Sequence, residues 1–152
     1  MAPSKRSNPP SKLDTREYEL LAAFRRALRG FLRFSEAEAE KGGLTAQNYQ
    51  ALLTVRACPQ GERVSINDLA QQLMIRHNSA VGLVDRLVRQ SLVAREPAPE
   101  DARKVYLRLT AKGDRVLEKL AEVHREELRR IGPQLEALLA QISAATDRRT
   151  KA

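Results

Sequence analysis

The sequence predicts a mainly α-helical chain carrying one small β-hairpin, an α+β arrangement in which helices dominate. Three observations predict it. Apolar residues recur at spacings of three and four over most of the chain. Residues that cap helix starts (Asp14, Thr45, Ser65, Thr110) stand at the head of these runs. One stretch, residues 92–109, abandons that period, alternates, and holds two prolines and three acids near its middle.

The first helix starts near Asp14, where Asp14 and Glu17 have capping-box spacing. Leu20, Leu21, Phe24, Ala27, Leu28, Phe31 and Phe34 form its stripe, and Gly42-Gly43 ends it after Lys41. Thr45 caps a second helix with Tyr49, Leu52 and Leu53 on its apolar face, ending before Pro59 and Gly61. SINDLAQQL, residues 65–73, opens with the Ser65/Asp68 box. After a short break, HNSAVGLVDRLVRQ turns Ala80, Leu83, Val84, Leu87 and Val88 inward. Two short amphipathic helices around a tight turn have helix-turn-helix form.

Residues 92–95 and 105–109 are the hairpin strands, and a hairpin in this place is a wing. Thr110 caps the next helix, lined by Val116, Leu117, Leu120, Val123, Leu128 and Ile131. Gly132-Pro133 is expected to break it, because proline starts helices well and interrupts them badly. A last helix then carries Leu135, Leu138, Leu139 and Ile142. The expected organisation is a disordered basic tail (1–13), one domain (14–146) and a polar tail (147–152). Within the domain, helices at 14–41 and 110–146 flank a winged-helix core at 45–109.

Of the 152 residues, 27 are basic and 19 acidic, a net charge of +8. This permits a polyanionic partner without proving one. The excess is spread along the chain, so the face that the cations occupy matters more than their number. The order E-P-A-P-E-D-A-R-K at the wing is informative: a stiff acidic tip leads directly into Arg103 and Lys104, as suits a finger reaching for a polyanion. The single cysteine, Cys58, excludes a disulfide within the chain and fits a reducing cytoplasm. No apolar run approaches the length of a membrane span, and the polar N-terminus lacks the core of a signal peptide. His77 and His124 stand far apart with no cysteine or histidine cluster, so no metal site is expected. No phosphate loop, paired carboxylates or nucleophile–base set is present. Neither a cofactor nor enzymatic activity is therefore expected.

The outer helices carry apolar stripes outside the winged-helix core. Burying a leucine is worth about 1.5–3 kcal/mol, so these stripes call for a partner. A second copy is the simplest one. The residues assigned to this contact are Leu20, Leu21, Phe24, Leu120, Leu128, Leu135, Leu138, Leu139 and Ile142. A two-fold pair of helix-turn-helix units reads half-sites about one helical turn of double-stranded DNA apart.

Five motifs in this order then resemble the MarR family of winged helix-turn-helix transcription regulators. They are GLTAQ (43–47), LA within INDLAQQL, VDRL (84–87), SLVAR (91–95) and, most specifically, DARKVYLRLTAKG (101–113). The resemblance covers residues 14–145. It implies an obligate homodimer, recognition helices in successive major grooves and wings in the flanking minor grooves. It also implies a cytoplasmic, nucleoid-associated repressor of bacterial or archaeal type, released by small phenolic or other anionic effectors or by cysteine oxidation.

In such proteins the wing arginine, here Arg103, enters the minor groove while Asp101 holds its guanidinium. The candidate DNA contacts are Ser65, Arg76, His77, Asn78, Ser79, Gly82, Arg86, Arg95, Asp101, Arg103 and Lys104. Arg76 suits guanine and Asn78 adenine. Arg86 is open to a phosphate contact or an ion pair, and Asp85 and Arg89 have the spacing to pair. Arg25, Arg29 and Arg33 repeat every four residues, as a carboxylate-ligand site or as a solvated face pairing with nearby acids. Cys58 is the one redox candidate, with a buried structural thiol as the plainer reading. Two departures from the family stand out: Ser91 where glycine is usual, and Gly82 where a polar or basic side chain is common. The same pattern also fits a protein-binding winged helix or a sequence-tolerant architectural DNA binder.

Overall fold

The computed structural model describes residues 13–150, with side chains described through residue 147. The expected basic tail therefore lies, apart from Leu13, outside the described residues. The elements are α1 (Thr15–Lys41), α2 (Ala46–Arg56), β1 (Val64–Ser65), α3 (Ile66–Gln72), α4 (His77–Arg89), β2 (Val93–Ala98), β3 (Asp101–Leu109) and α5 (Ala111–Thr150). Among the described residues, no helix is long and apolar enough to cross a membrane.

Each capping residue does its local work. The Asp14 amide donates to Glu17 Oε2 at 2.9 Å and the Glu17 amide returns to Asp14 Oδ1 at 2.8 Å. Thr45 Oγ1 accepts from the Asn48 amide at 3.1 Å. The Ser65/Asp68 box is reciprocal, with Ser65 N–H to Asp68 Oδ2 at 2.9 Å and Asp68 N–H to Ser65 Oγ at 3.1 Å. These bonds satisfy amides that a helix start otherwise leaves open.

Three helices end in one motif, with a left-handed residue just past the helix. After α1 it is Gly43 (φ +73°), after α3 Met74 (φ +53°) and after α4 Ser91 (φ +58°). The closing bonds run from Leu44 N–H to Ala39 O (2.9 Å), from Ile75 to Ala70 (3.0 Å) and from Leu92 to Leu87 (2.9 Å). Ser91 thus takes the left-handed conformation itself, so its departure from glycine leaves the helix end in place. That conformation costs a non-glycine residue about 1–2 kcal/mol.

Two sequence expectations fail. The Gly132-Pro133 break does not occur: α5 is one helix with Pro133 inside it, and it continues through residue 150 rather than ending near 146. Leu128, Ile131, Leu135, Leu138 and Ile142 keep alternating spacings of three and four across the proline. The apolar stripe therefore stays in phase. Ile131 and Leu138, on either side, are each only 9% exposed. Two such burials, at about 1.5–3 kcal/mol each, offset the roughly 3 kcal/mol cost of an internal proline.

The hairpin is also larger than expected. Its strands reach Ala98 and Asp101, leaving only Pro99 and Glu100 at the tip. A third strand, β1, was not anticipated; it makes the sheet order β1-β3-β2 through the pairs Val64↔Leu107 and Ser65↔Tyr106. Pro97 is tolerated because β2 is an edge strand.

The described residues divide into two compact units, residues 34–126 and residues 13–33 with 127–150. In the first, Leu52, Leu69, Leu83, Val84, Leu87, Leu92, Val93, Leu107, Leu117 and Leu120 form the buried core. His124 is also buried there, with Nδ1 2.7 Å from Leu120 O and Nε2 2.7 Å from Ser35 Oγ, its ring stacked on Tyr49 at 4.1 Å. Because a carbonyl only accepts, Nδ1 carries a proton. In the second unit Leu20, Ile131 and Leu138 are buried, and Arg16 donates to Gln141 Oε1 at 2.7 Å.

Candidate nucleic-acid interface

The start of α4 is built to stay open. Arg76 occupies its N-cap position, and no side chain caps the helix there. Arg76, His77, Asn78 and Ser79 are all exposed, while Ala80, Leu83, Val84 and Leu87 anchor the opposite face. Uncapped amides and the positive end of the helix dipole favour an anion at this point. Further along the same helix Arg86 is exposed without an acidic partner among the described residues. A Cβ on Gly82 would touch only the Arg86 guanidinium, at 3.7 Å, so this glycine leaves the helix surface open rather than relieving a clash within the chain.

The far end of α4 is tied to the start of α5. Thr110 donates its hydroxyl to Ser91 O (2.6 Å) and its amide to Leu92 O (3.1 Å), and Lys112 Nζ reaches Gln90 O (2.9 Å). Thr110 Oγ1 also accepts from the Gly113 amide at 3.0 Å. Gly113 passes so close to Leu92 that any Cβ would lie 2.0 Å from its carbonyl oxygen. The L-T-x-x-G signature is therefore a clamp: threonine bonds the end of α4, and glycine permits the approach.

The wing explains its own sequence. β2 and β3 pair regularly from Val93↔Leu109 to Pro97↔Val105, and the next pair is Ala98↔Asp101. Ala102, Arg103 and Lys104 are thus displaced from the ladder as a bulge. Asp101 Oδ1 accepts from the Arg103 amide at 2.9 Å and from Arg103 Nε at 3.4 Å. The Arg103 side chain is 92% exposed. Lys104 has no ion pair among the described residues; the Glu100 carboxyl is held below the usual range first by the Tyr106 hydroxyl and to a lesser degree by the Lys104 charge, which also lowers Asp68 slightly. For Asp68 the larger causes are the backbone and side-chain hydrogen bonds from Ser65.

Several assigned residues prove to be committed elsewhere. Ser65 is only 6% exposed, with its hydroxyl in the α3 capping box, so it is a structural cap and no longer a DNA-contact candidate. Asp85 pairs with Arg95 rather than Arg89, because the turn into β2 brings that strand beside α4. Arg95 is therefore held by an intrachain ion pair. Leu20, Leu120 and Leu138, expected at a partner contact, are instead buried within the chain itself. Leu21, Leu128 and Leu139 remain exposed at 42%, 46% and 49%, while Phe24, Leu135 and Ile142 are half-buried.

Arg25, Arg29 and Arg33 are exposed and carry no ion pair among the described residues, so the expectation of nearby acid partners fails. Cys58 is half-buried against the core and borders a cavity of about 450 Å³ lined also by Leu53, Thr54, Arg63, Asp68 and Gln72. Sequence reasoning missed Tyr106, whose hydroxyl donates to Glu100, and Arg63, whose guanidinium lies 5.4 Å from the Tyr106 ring centre. Strand alternation placed Tyr106 opposite the buried Leu107, but nothing local indicated its partner.

A short sheet, an open helix start and a cationic bulged hairpin define a winged helix-turn-helix protein. Residues 42–104 match the model of the MarR family. FarR, an HTH-type transcriptional regulator of Neisseria gonorrhoeae, is 34% identical over 68 residues, which are 45% of this chain and 47% of FarR. The match thus spans about half of that relative. The crystal structure of AbsC, a MarR family transcriptional regulator from Streptomyces coelicolor, superposes with a TM-score of 0.73 at 25% identity, over 88% of this chain and 92% of AbsC. The fold is shared as well with Staphylococcus aureus MepR in its DNA complex, with a TM-score of 0.67 at 21% identity, over 91% of this chain and 98% of that one. Members of the family are transcriptional regulators, not enzymes.

Proposed function

We propose that this protein is a sequence-specific DNA-binding transcriptional regulator of the MarR type, acting as a homodimer on a pseudo-palindromic site in the cytoplasm. The observation that carries the reading is the division of labour among its cations. Arg108, Arg95 and Arg56 are spent on intrachain acids, whereas Arg76, Arg86, Lys104 and the outermost part of Arg103 face solvent. These four stand on the open helix and the wing, the two elements that enter grooves in this architecture. Arg76 and Asn78 read bases, Arg103 enters the minor groove beside Asp101, and Lys104 and Arg86 meet phosphates.

The second copy is supported by Leu21, Leu28 and Leu32 on α1 and by Leu128 and Leu139 on α5, large apolar side chains exposed in the single chain. Bound over a promoter, the dimer obstructs transcription and so represses it. Release by a small anionic effector completes the proposal, with Arg25, Arg29 and Arg33 as candidate contacts.

The test is selection of bound duplexes from a random-sequence library. Enrichment of an inverted repeat with half-sites about 10 base pairs apart supports the reading. Retention without enrichment points to an architectural binder, and no retention overturns DNA binding altogether.

A further inference from the structure

The wing carries three acids next to the cations that must approach a phosphate backbone. Each acid has a partner. Glu96 accepts from Arg108 Nε at 2.6 Å and lies 3.9 Å from Arg63. Asp101 holds Arg103. Glu100, at the very tip, is held by a neutral group, the Tyr106 hydroxyl. Tyr106 is itself braced from outside the wing by Arg63, which precedes β1. A carboxylate bonded to a neutral hydroxyl keeps its full negative charge. Were it released, it would sit on the two-residue tip, within about a Debye length (~10 Å at 0.1 M salt) of the approaching phosphates.

We propose that Tyr106 is a positioning residue of the wing: its hydroxyl tethers the Glu100 carboxylate along β3, so that the tip presents Arg103 to DNA and not an acid. Arg63 supports the tether by covering the Tyr106 ring. This inference rests on the DNA-binding reading above and adds to it a determinant of wing affinity outside the D-x-R pair. Phenylalanine at 106 keeps the ring and its contact with Arg63 but frees Glu100.

The experiment uses a duplex selected from the random library by the full chain, with affinity read by fluorescence anisotropy across a salt series. The proteins are wild type, Tyr106→Phe, Glu100→Gln and the double variant. Tyr106→Phe is expected to bind roughly three- to fivefold more weakly at low salt, in keeping with an exposed electrostatic contact. The loss should fade as salt rises. Glu100→Gln is expected to bind at least as tightly as wild type, and in that background Tyr106→Phe should cost nothing further. A merely structural tyrosine would give a loss that ignores salt, persists in the Glu100→Gln background and follows a lowered melting temperature; any of these overturns the proposal. So does a Tyr106→Phe protein that binds as wild type does while wild type binds selectively, an outcome that leaves the DNA-binding reading intact. If wild type selects no sequence and binds no duplex, the DNA-binding reading fails and the tether loses its role with it.

Discussion

Replacing Gly113 by alanine tests the clamp between α4 and α5. The new Cβ would lie 2.0 Å from Leu92 O, 2.9 Å from Leu92 C and 3.2 Å from Leu92 Cα. Real Cβ atoms essentially never stand closer than 3.0 Å to such neighbours. The two backbones must therefore part by about 1 Å, and an interior packed to crystal density does not yield that freely. Parting strains the bonds from Thr110 N–H to Leu92 O, from Thr110 Oγ1 to Ser91 O and from Lys112 Nζ to Gln90 O. Three hydrogen bonds at about 1 kcal/mol each, partly retained, together with overpacking strain of about 1–3 kcal/mol, give a loss of about 3–5 kcal/mol. For a chain of this length that lowers the melting temperature by roughly 6–20 °C. Circular dichroism melts are the assay. Gly30→Ala is the control, since nothing lies within 4 Å of the place its methyl would take and a helix gains about 0.5–1 kcal/mol from such a change. A Gly113→Ala protein within about 1 kcal/mol of wild type would refute the close-approach explanation of the motif.

Three further outcomes are expected. Ser91→Gly should raise stability by about 0.5–1 kcal/mol, because relief of the left-handed strain exceeds glycine's entropic cost; a lower melting temperature would show that the serine side chain contributes something its φ does not reveal. Gly82→Ala should raise it by about 0.8–1 kcal/mol through helix propensity, since the added methyl meets only Arg86, and calorimetry decides this. Asp68 has a folded pKa below its ordinary value of about 3.9, chiefly through the Ser65 backbone and side-chain hydrogen bonds. Its contribution is therefore complete above that value and is lost as pH falls through the folded pKa. Melts of wild type and Asp68→Asn should differ by a constant amount from about pH 5 to 7 and converge in stronger acid; a gap that widened in acid would contradict the assignment.

What the sequence disclosed was mostly local. Asp14, Thr45, Ser65 and Thr110 act on amides three residues away, so their spacing alone announced the helix starts. The long apolar stripes likewise carry their period within the chain. The failures all depended on distant contacts. At Pro133 a local rule called for a break, and packing on both sides of it prevailed. The strand Val64–Ser65 is too short to have a period and exists only because β3 pairs with it. Asp85 had a suitable arginine one turn away, yet the fold brings Arg95 closer. Ser65 was credited with two roles where its burial allows one. The wing motif disclosed the Asp101–Arg103 pair, two residues apart, but not the Tyr106–Glu100 tether, because strand alternation gives a side chain's face and not its partner.

The central claim is that the open start of α4 and the bulged wing form a DNA interface. The most direct measurement is the salt dependence of affinity for a selected duplex and for a scrambled one, with wild type and Arg103→Ala side by side. Wild type should prefer the selected duplex, with log K falling by roughly 0.9 per phosphate contact for each unit of log salt. Arg103→Ala should bind more weakly and discriminate less between the two duplexes. Equal binding to both duplexes, insensitive to salt and to the loss of Arg103, would contradict the account.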